Sequence, residues 1–525
     1  MASYVTIPFK DSEIRGIEKT SLNEKIYYAF LGIPYAEPPI GDLRFKAPQP
    51  LKNFPKYLDA TKFKSSCIQY NELHKLDMGS EDCLHVNIFI PKLPTTDSLS
   101  PVMLYFHGGS YLCLTANSMT PHLLIEHDIV IVSFNFRLHA LGFLDLGIPD
   151  CPGNVGLKDQ VLALQWVKEN IKYFGGDPDN ITLFGMSSGA ASAHMLIMSP
   201  MHQNLANKLI LIGSNALNTW HVNPEPLKIA FELGRKFGYE GDDKEALLKL
   251  LKSVSAEEIL KAVLTIYKEN IKLPRSYSFR PTVECIKEGA FLPDLPQKLW
   301  REVNNITVIN GINENEGTVI LRNPEFAQLI VQHDALKNVI FDMTSVKEDF
   351  LESMFQEIIS FYGIAEKDNP ENYVARVNLL TDLLLRHVYT IPEFLPSISS
   401  TCSLYNYQFA YRGTRNIMTN AWKERIPQNI IEGTFHADDV GYLVIQKKWN
   451  TPESDRKVAQ TVCTLWTNFV KYGNPNGEIF NNLWVPSSKE NPCYLQIDEN
   501  LTMKNEDFNL ERANFWKHLT EKYSL

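Results

Sequence analysis

The chain lacks the features that would favour a membrane or a nucleic acid as its partner. No uninterrupted apolar run in its 525 residues approaches the roughly 18 that suggest a membrane span. The longest runs, such as IVIVSF and LLTDLLL, fit buried strands or helix faces. No long Lys/Arg tract occurs, and the formal net charge of −10 would repel a phosphate backbone. We therefore expect no membrane span and no nucleic-acid partner.

Cysteine is also sparse, with eight residues in the whole chain and no CxxC pair. This excludes a disulfide scaffold and gives no metal-ligand spacing, so buried free thiols are expected. Cys67 and Cys83 can close a small loop only in an oxidising compartment. The N-x-S/T sequons at Asn180, Asn305 and Asn500 matter only in that same case.

The N-terminal residues MASYVTIPFK contain no basic segment followed by an apolar one, so no secretory signal is recognised. If Met1 is the true start, the sequence predicts a cytoplasmic protein. Secretion is expected only if an N-terminal signal has been trimmed. No Pro/Ser-rich linker is long enough to separate domains, so residues 1–525 are expected to form a single domain with helical insertions.

Three short runs rich in β-branched and aromatic residues, at 101–106, 128–136 and 180–185, predict buried strands. Between the last two, apolar residues recur at helical spacing over 156–174, and Gly175-Gly176 then ends the pattern. Strand, helix and strand in this order predict an α/β fold with a largely parallel sheet.

Later segments extend this pattern. Residues 304–312 and 403–413 predict further strands, and residues 325–338 and 346–362 predict helices with polar faces.

A candidate nucleophile lies where one of these strands ends. The segment GMSSG at 185–189 fits the pattern G-x-S-x-G only with Ser187 at its centre. A strand-like segment precedes it and a helical segment of small residues follows, as a nucleophile elbow requires. In so tight a turn the Cβ of a larger residue would collide with neighbouring backbone, which explains the flanking glycines.

A serine nucleophile requires a histidine base, and on this type of sheet the acid and then the histidine follow the serine in the chain. Of thirteen histidines, His387, His436 and His518 lie far enough downstream. His436 is preferred because it occupies a polar loop, GTFHADD, whereas the other two lie within helical patterns.

Two carboxylates qualify as the acid. Glu314 and Glu316 both follow the predicted strand 304–312 directly, at the expected carboxyl edge of a parallel sheet. The residues alone leave the choice between them open.

A serine that attacks a carbonyl carbon also needs N–H groups directed at the oxyanion that forms. The glycine-rich segment HGG, at 107–109, follows the predicted strand 101–106, and such loops serve this purpose in esterases. Ser188, directly after the candidate nucleophile, would supply a further N–H.

With these motifs in place, the sequence resembles the type-B carboxylesterase family, which includes the cholinesterases. Within that family it is most similar to insect cytosolic carboxylesterases of the detoxification type. The matching segments stand in family order over nearly the whole chain: 30–45, 80–89, 136–144, 153–185 and 466–476.

The resemblance implies an α/β-hydrolase fold, with a large, mostly parallel central sheet flanked by helices and helical insertions around an active-site gorge. The family's acid precedes a glycine, which selects Glu316 over Glu314. The resemblance assigns the remaining roles as follows: oxyanion donors Gly109, Ser110 and Ser188; substrate pocket Trp220 and Met186.

Three departures from the family pattern bear on the choice of substrate. Met186 replaces the usual glutamate before the nucleophile, which removes a negative charge and disfavours cationic alcohols. The segment between Cys67 and Cys83 lacks the tryptophan that cholinesterases stack on a quaternary ammonium, so choline esters are not expected as main substrates. Ser110 replaces the usual third glycine, and it either narrows the acyl side or repositions a water.

The expected function is carboxylic ester hydrolysis by a Ser-His-Glu triad through an acyl-enzyme. The expected substrates are small to medium apolar esters, such as xenobiotic, lipid-like or semiochemical esters. The alternative is a slow-turnover sequestering protein that binds or covalently traps esters or organophosphates. No metal or organic cofactor is expected, because the triad supplies its own acid, base and electrophile. The oligomeric state is not predicted.

Overall fold

The structure is a computed structural model that describes residues 3–71, 76–95, 98–365, 370–385, 402–422, 432–444, 451–506 and 508–524. His387, one of the histidines considered above, lies outside the described residues. In the described ranges, no helix has both the length and the apolar character needed to cross a membrane.

The strands are numbered in chain order: β1 Tyr4–Phe9, β2 Ser12–Thr20, β3 Ile26–Pro34, β4 Tyr57–Asp59, β5 Gln69–Asn71, β6 Leu76–Met78, β7 His85–Ile90, β8 Ser100–Phe106, β9 Val130–Phe134, β10 Asp145–Ile148, β11 Cys151–Pro152, β12 Gly176–Met186, β13 Lys208–Ile212, β14 Thr307–Asn313, β15 Ser403–Phe409, β16 Tyr494–Ile497 and β17 Leu501–Lys504.

The α-helices are numbered in the same way: α1 His139–Phe143, α2 Val155–Asn170, α3 Ser188–Met198, α4 Pro226–Arg235, α5 Lys244–Ser253, α6 Ala256–Glu269, α7 Pro296–Leu299, α8 Pro324–Leu329, α9 His333–Thr344, α10 Glu348–Tyr362, α11 Pro370–Leu385, α12 Ile417–Trp422, α13 Val440–Leu443, α14 Glu453–Tyr472 and α15 Leu510–Tyr523.

One 13-stranded sheet organises the molecule, in the order β1-β2-β3-β7-β9-β8-β12-β13-β14-β15-β16-β17, with β4 beside β2. Each pair of neighbouring strands from β9 through β8, β12, β13, β14 and β15 to β16 is parallel. Antiparallel pairs extend the sheet at both edges. The expected large, mostly parallel sheet is confirmed.

Helices cover both faces of this sheet. On β8, Val102 and Leu104 belong to the core cluster that includes buried side chains of α2, whereas Met103 and Tyr105 belong to the cluster that includes those of α14. Side chains of a strand alternate between its two faces, so a strand buried on both sides reads as a continuous apolar run. This explains why PVMLYF carries no polar alternation.

The predicted strands correspond to β8, β9, β12, β14 and β15, with ends shifted by a few residues. The helix predicted over 156–174 is α2 followed by a 3-10 turn, and Gly175 ends it in left-handed backbone with φ 76°. The helical pattern predicted over 325–338 is confirmed except at residues 330–332, where the chain passes from α8 to α9. The carbonyl of Ile330 between the two helices accepts a hydrogen bond of 2.6 Å from Arg376.

A disulfide joins Cys67 to Cys83. The other six cysteines form no disulfide; Cys151, Cys463 and Cys493 are buried, whereas Cys113 and Cys402 are half-buried and Cys285 is exposed. The prediction of buried thiols therefore holds for three of the six.

Candidate active site

Ser187 occupies the turn between β12 and α3, with φ 54° and ψ −128°. Such backbone costs a non-glycine residue about 1–3 kcal/mol, and it persists only when the surroundings enforce it. Here the Ser187 N–H donates to the carbonyl of Ile212 at 2.8 Å, and its carbonyl accepts from the N–H of Ala191 at 3.1 Å. The neighbouring strand and the following helix therefore hold the strained serine in place.

Steric contacts explain both glycines of the elbow. A Cβ on Gly185 would lie 2.5 Å from the Cα of Ala190, and a Cβ on Gly189 would lie 2.2 Å from the carbonyl oxygen of Phe106. Neither distance is compatible with a side chain. The sequence pattern around Ser187 therefore reflects the close approach of helix α3 to strands β8 and β12.

The glycine-rich loop after β8 lies against this elbow. A Cβ on Gly108 would come within 2.8 Å of the Met186 carbonyl oxygen, and Gly109 adopts φ 102°. Ser110 continues in left-handed backbone with φ 57°, which is uncommon for a residue other than glycine. This backbone turns the loop toward the cavity that Ser110 lines.

Three N–H groups near Ser187 are free to bind a ligand oxygen. Those of Gly109 and Ser110 donate no hydrogen bond to any described residue. The carbonyl of Gly109, by contrast, is occupied by the N–H groups of Leu112 at 2.9 Å and Cys113 at 3.2 Å. The Ser188 N–H begins a helix and so has no acceptor within it.

His436 faces the same cavity and is paired with Glu316. The Nδ1 atom of His436 is hydrogen-bonded to Oε2 of Glu316, and both side chains are buried. The other carboxylate oxygen, Oε1, accepts from the N–H of Asn313 at 2.7 Å and from its side-chain amide at 3.2 Å. These bonds orient the carboxylate toward the imidazole. Ser187 and His436 both line the cavity without forming a direct hydrogen bond, and such contacts are often long in unliganded enzymes.

Glu314, the other carboxylate considered, points elsewhere. Its Oε2 accepts from the N–H of Thr434 at 3.0 Å, and its own N–H donates to Oγ1 of that threonine at 3.0 Å. A further backbone bond of 2.9 Å joins Asn315 to Thr434. Glu314 thus ties the loop before His436 to the end of β14 and does not contact the imidazole.

The cavity around Ser187 has a mixed lining. Helices α6, α8, α9 and α11 contribute to it, which agrees with the expected helical insertions. Its described lining residues are Ser110, Ser187, Gly213, Ser214, Trp220, His221, Tyr267, Pro274, Glu316, Val319, Asn323, Phe326, Met343, Leu384 and His436.

The two expected pocket residues differ in position. Trp220 lines the cavity, as the resemblance implies. Met186 is 9% exposed and belongs to the hydrophobic core. Its methyl carbon would lie only 2.9 Å from a Cβ on Gly108, so it packs beneath the glycine-rich loop, and it is absent from the lining. The expectation that Met186 lines the pocket is therefore not met in this structure.

Residues that the sequence interpretation missed surround the His436–Glu316 pair. Gly213 has φ 64°, and a Cβ there would lie 3.2 Å from both carboxylate oxygens of Glu316 and from Cε1 of His436. Gly213 follows β13 directly, and a glycine at the carboxyl end of a parallel strand is the signal that could have identified it.

Asp439 is a second buried carboxylate in this region. The amide of Asn313 bridges Asp439 Oδ1 and Glu316 Oε1, at 3.2 Å from each, and the Tyr407 hydroxyl donates to Asp439 Oδ2 at 2.7 Å. Burial, with the nearby Glu316 charge, raises the pKa of Asp439 to about 6. The sequence HADD places it three residues after His436, which is the only hint that the sequence offers.

Among the described residues, no group of three or more His, Cys, Asp and Glu side chains is arranged to hold a metal ion.

Comparison with known proteins shows which family this chain resembles. The carboxylesterase family model matches residues 2–516. Esterase FE4 of Myzus persicae is 32% identical over 503 residues, which cover 92% of this chain and 86% of that protein. Cholinesterase of Mus musculus is 30% identical over 546 residues, covering 97% and 86%.

A solved structure is also similar. Juvenile hormone esterase from Manduca sexta, with OTFP covalently attached, superposes with a TM-score of 0.86 at 25% identity, covering 99% of this chain and 100% of that one. The resemblance to the carboxylesterase family is thereby confirmed. The chain belongs to the carboxylesterase family and is a carboxylic ester hydrolase.

Proposed function

We propose that the chain hydrolyses small to medium apolar carboxylic esters through an acyl-enzyme on Ser187. His436 serves as the base and Glu316 orients it. The observation that carries this proposal is the buried His436–Glu316 pair, which shares one cavity with a serine held in strained elbow geometry.

Acylation uses the groups already described. Ser187 Oγ attacks the ester carbonyl carbon, and its proton passes to Nε2 of His436, whose Nδ1–H is held by Glu316. The oxyanion then accepts hydrogen bonds from the free N–H groups of the loop and of Ser188. When the tetrahedral intermediate collapses, the C–O bond to the alcohol breaks, and His436 returns the proton to the departing oxygen.

Deacylation repeats these steps with water. His436 takes a proton from the water as its oxygen attacks the acyl carbon. Collapse breaks the bond to Ser187, the proton returns to Oγ, and the carboxylic acid leaves. All the groups used in these steps are side chains and backbone N–H groups of this chain, together with water.

The lining supports an apolar substrate. Pro274, Val319, Phe326, Met343 and Leu384 form much of it. In the described lining, Glu316 is the one carboxylate, and it is occupied by His436. A cationic alcohol would find no free counter-charge there, which argues against choline esters as main substrates.

A p-nitrophenyl ester series from acetate to octanoate tests the proposal, with the pre-steady-state burst recorded. Steady turnover that disappears in Ser187→Ala supports it. A stoichiometric burst without turnover would favour the sequestering alternative, and activity that survives in Ser187→Ala would show that another serine is the nucleophile.

The cytoplasmic location stays a prediction, and the Cys67–Cys83 bond argues against it because disulfides persist mainly in oxidising compartments. Counting the free thiols of protein from its native source decides between a cytoplasmic location and an oxidising compartment. Eight free thiols indicate a reducing compartment, whereas six indicate the bonded pair.

A further inference from the structure

The glycine-rich loop that carries two of the proposed oxyanion donors keeps an unusual backbone beyond them. After Gly109 and Ser110, Tyr111 has φ 62° and Leu114 has φ 74°. Left-handed backbone is uncommon for residues other than glycine, and it persists only when the surroundings enforce it. The bonds that enforce it here therefore also fix where the N–H groups of Gly109 and Ser110 point.

Bonds inside the loop define its curvature but do not attach it to the rest of the molecule. The N–H groups of Leu112 and Cys113 both donate to the carbonyl of Gly109, within the same turn. The attachment comes from a neighbouring segment, residues 67–69. Its first residue is fixed by the disulfide to Cys83.

Gln69 holds the far end of the loop. Its side chain is buried, and its Nε2 lies 2.9 Å from the carbonyl oxygen of Leu114 and 3.1 Å from that of Cys67. A carbonyl oxygen can only accept, so the two hydrogens of the amide donate one bond to each. Gln69 therefore joins Leu114 to the disulfide-bonded Cys67.

His139 holds the near end of the loop. Its backbone N–H donates to the carbonyl of Tyr111 at 2.7 Å, and its Nε2 lies 2.9 Å from the carbonyl oxygen of Ile68. Because that oxygen can only accept, Nε2 carries the ring proton. Burial lowers the pKa of His139 to about 4, so the ring stays neutral near pH 7. His139 thus joins Tyr111 to the residue directly before Gln69.

The chain beyond Leu114 is held separately. Oδ1 of Asn135 accepts from the Thr115 hydroxyl and from the N–H of Ala116, each at 2.9 Å. Loss of the Gln69 amide should therefore release the strained part of the loop without releasing the residues that follow it.

Building on the proposed function, we propose that Gln69 and His139 are positioning residues for the oxyanion site. They clamp the loop at Leu114 and Tyr111, and so keep the N–H groups of Gly109 and Ser110 directed at the ester carbonyl oxygen as it becomes negative. Neither side chain belongs to the described lining of the cavity. Their loss should therefore weaken binding of the transition state and not of the substrate.

A trifluoromethyl ketone separates these two kinds of binding. When Ser187 Oγ adds to the carbonyl carbon of hexyl trifluoromethyl ketone, the ketone oxygen becomes an oxyanion and the serine proton passes to His436. The Ki of this ketone therefore reports on the oxyanion site, and KM for p-nitrophenyl butyrate serves as the comparison. All rates are expressed per active site titrated with a fluorophosphonate, so that misfolded protein does not count.

Gln69→Leu removes both amide donors at similar size. We expect kcat to fall by about tenfold to a hundredfold and Ki to rise by the same factor, with KM within about twofold of wild type. Gln49→Leu is the matched control, because Gln49 is exposed and its amide approaches the carbonyl of Ala47 only at 3.5 Å. It should change none of the three constants.

Two variants of His139 test the other end of the clamp. His139→Leu removes one hydrogen bond and keeps the backbone bond to Tyr111, so kcat should fall and Ki should rise by about threefold to tenfold. His139→Gln places an amide donor where Nε2 lies and should restore most of both. This pair decides the question by itself if Gln69→Leu yields no titratable sites.

The clamp would be overturned if Gln69→Leu and His139→Leu both left kcat and Ki within about twofold of wild type, or if KM rose while Ki stayed unchanged. Equal losses in His139→Leu and His139→Gln would also overturn it, because the ring N–H would then have no part in positioning. The proposed function survives these outcomes if Ser187→Ala still abolishes turnover. Absence of turnover by the wild type would contradict the proposed function and the clamp together.

Discussion

The two sides of the catalytic cavity are built in different ways. Ser187 and Glu316 follow parallel strands. The Ser187 N–H donates to the carbonyl of Ile212 on the neighbouring strand, and the Glu316 carboxylate accepts from the N–H of Asn313 at the end of its own strand. The opposite wall, at Trp220 and His221, is held by side-chain contacts and by the buried cation of Arg280. The register of the sheet thus positions the catalytic groups, whereas packing between loops positions the surface that contacts the substrate. Changes on the first side should affect kcat, and changes on the second should affect KM and selectivity.

The largest effect is expected from Glu316→Gln. The amide keeps the size of the side chain but removes the charge that stabilises the imidazolium and sets its tautomer, so kcat should fall by roughly 10³- to 10⁴-fold. Glu314→Gln is the matched control, because its oxygen can still accept from Thr434, and kcat should change less than about twofold. Equal losses in both variants, measured by steady-state kinetics, would contradict the assignment.

Gly213→Ala tests whether the close approach of the backbone at Gly213 positions the Glu316–His436 pair. The new Cβ would lie 3.2 Å from Glu316 and His436, so we expect the pair to shift and kcat to fall by about tenfold to a hundredfold. Gly238→Ala is the control for strain alone: φ is 78° there, and a Cβ would meet nothing within 4 Å. Similar losses of kcat in the two variants would show that backbone strain, and not contact with Glu316 and His436, causes the loss.

Arg280→Lys perturbs the wall. A lysine cannot replace the planar group that lies over Trp220 and donates to two carbonyls, of Trp220 and of Pro274 at 2.7 Å. KM for the ester series should rise by about threefold to tenfold, with kcat within about twofold, because one or two hydrogen bonds are lost. A fall in kcat at constant KM would show that the wall also positions the triad.

Asp439→Asn should have the smallest effect on the rate of hydrolysis and should mainly change how the free energy of unfolding depends on pH. Because the pKa of Asp439 is raised from 3.8 to about 6, the folded protein keeps a proton that the unfolded chain loses between these values. Its contribution to stability is therefore complete below pH 3.8 and is lost as the pH rises through 6. Chemical denaturation at several pH values should show this decline in wild type and not in the variant. If the free energy of unfolding depended on pH in the same way in wild type and in the variant, the raised pKa would be contradicted.

Much of the catalytic wall of the cavity, which follows the parallel strands, could be predicted from sequence because its sequence signals are local. G-x-S-x-G around Ser187, the glycines after β8 and the acidic residues after β14 each follow an apolar run directly. Choosing between Glu314 and Glu316 required the family resemblance, because both lie at the strand end and only the fold shows which one reaches His436.

The rest depends on contacts between distant segments. The spacing of Ser214, His221 and Arg280 in the chain gives no sign that they share one wall. Met186 resembled a pocket residue because it adjoins the nucleophile, yet successive residues of a strand face opposite sides and this one enters the core. Asp439 was likewise hidden, because its role depends on Asn313 and Tyr407.

Active-site labelling tests the central claim most directly. A fluorophosphonate should react once per chain, and peptide mapping by mass spectrometry should locate the adduct on Ser187 in wild type, Ser188→Ala and Ser214→Ala. Ser187→Ala should remain unlabelled. An adduct on Ser188 or Ser214 in the wild type, or labelling that persists in Ser187→Ala, would contradict the assignment of Ser187 as the nucleophile.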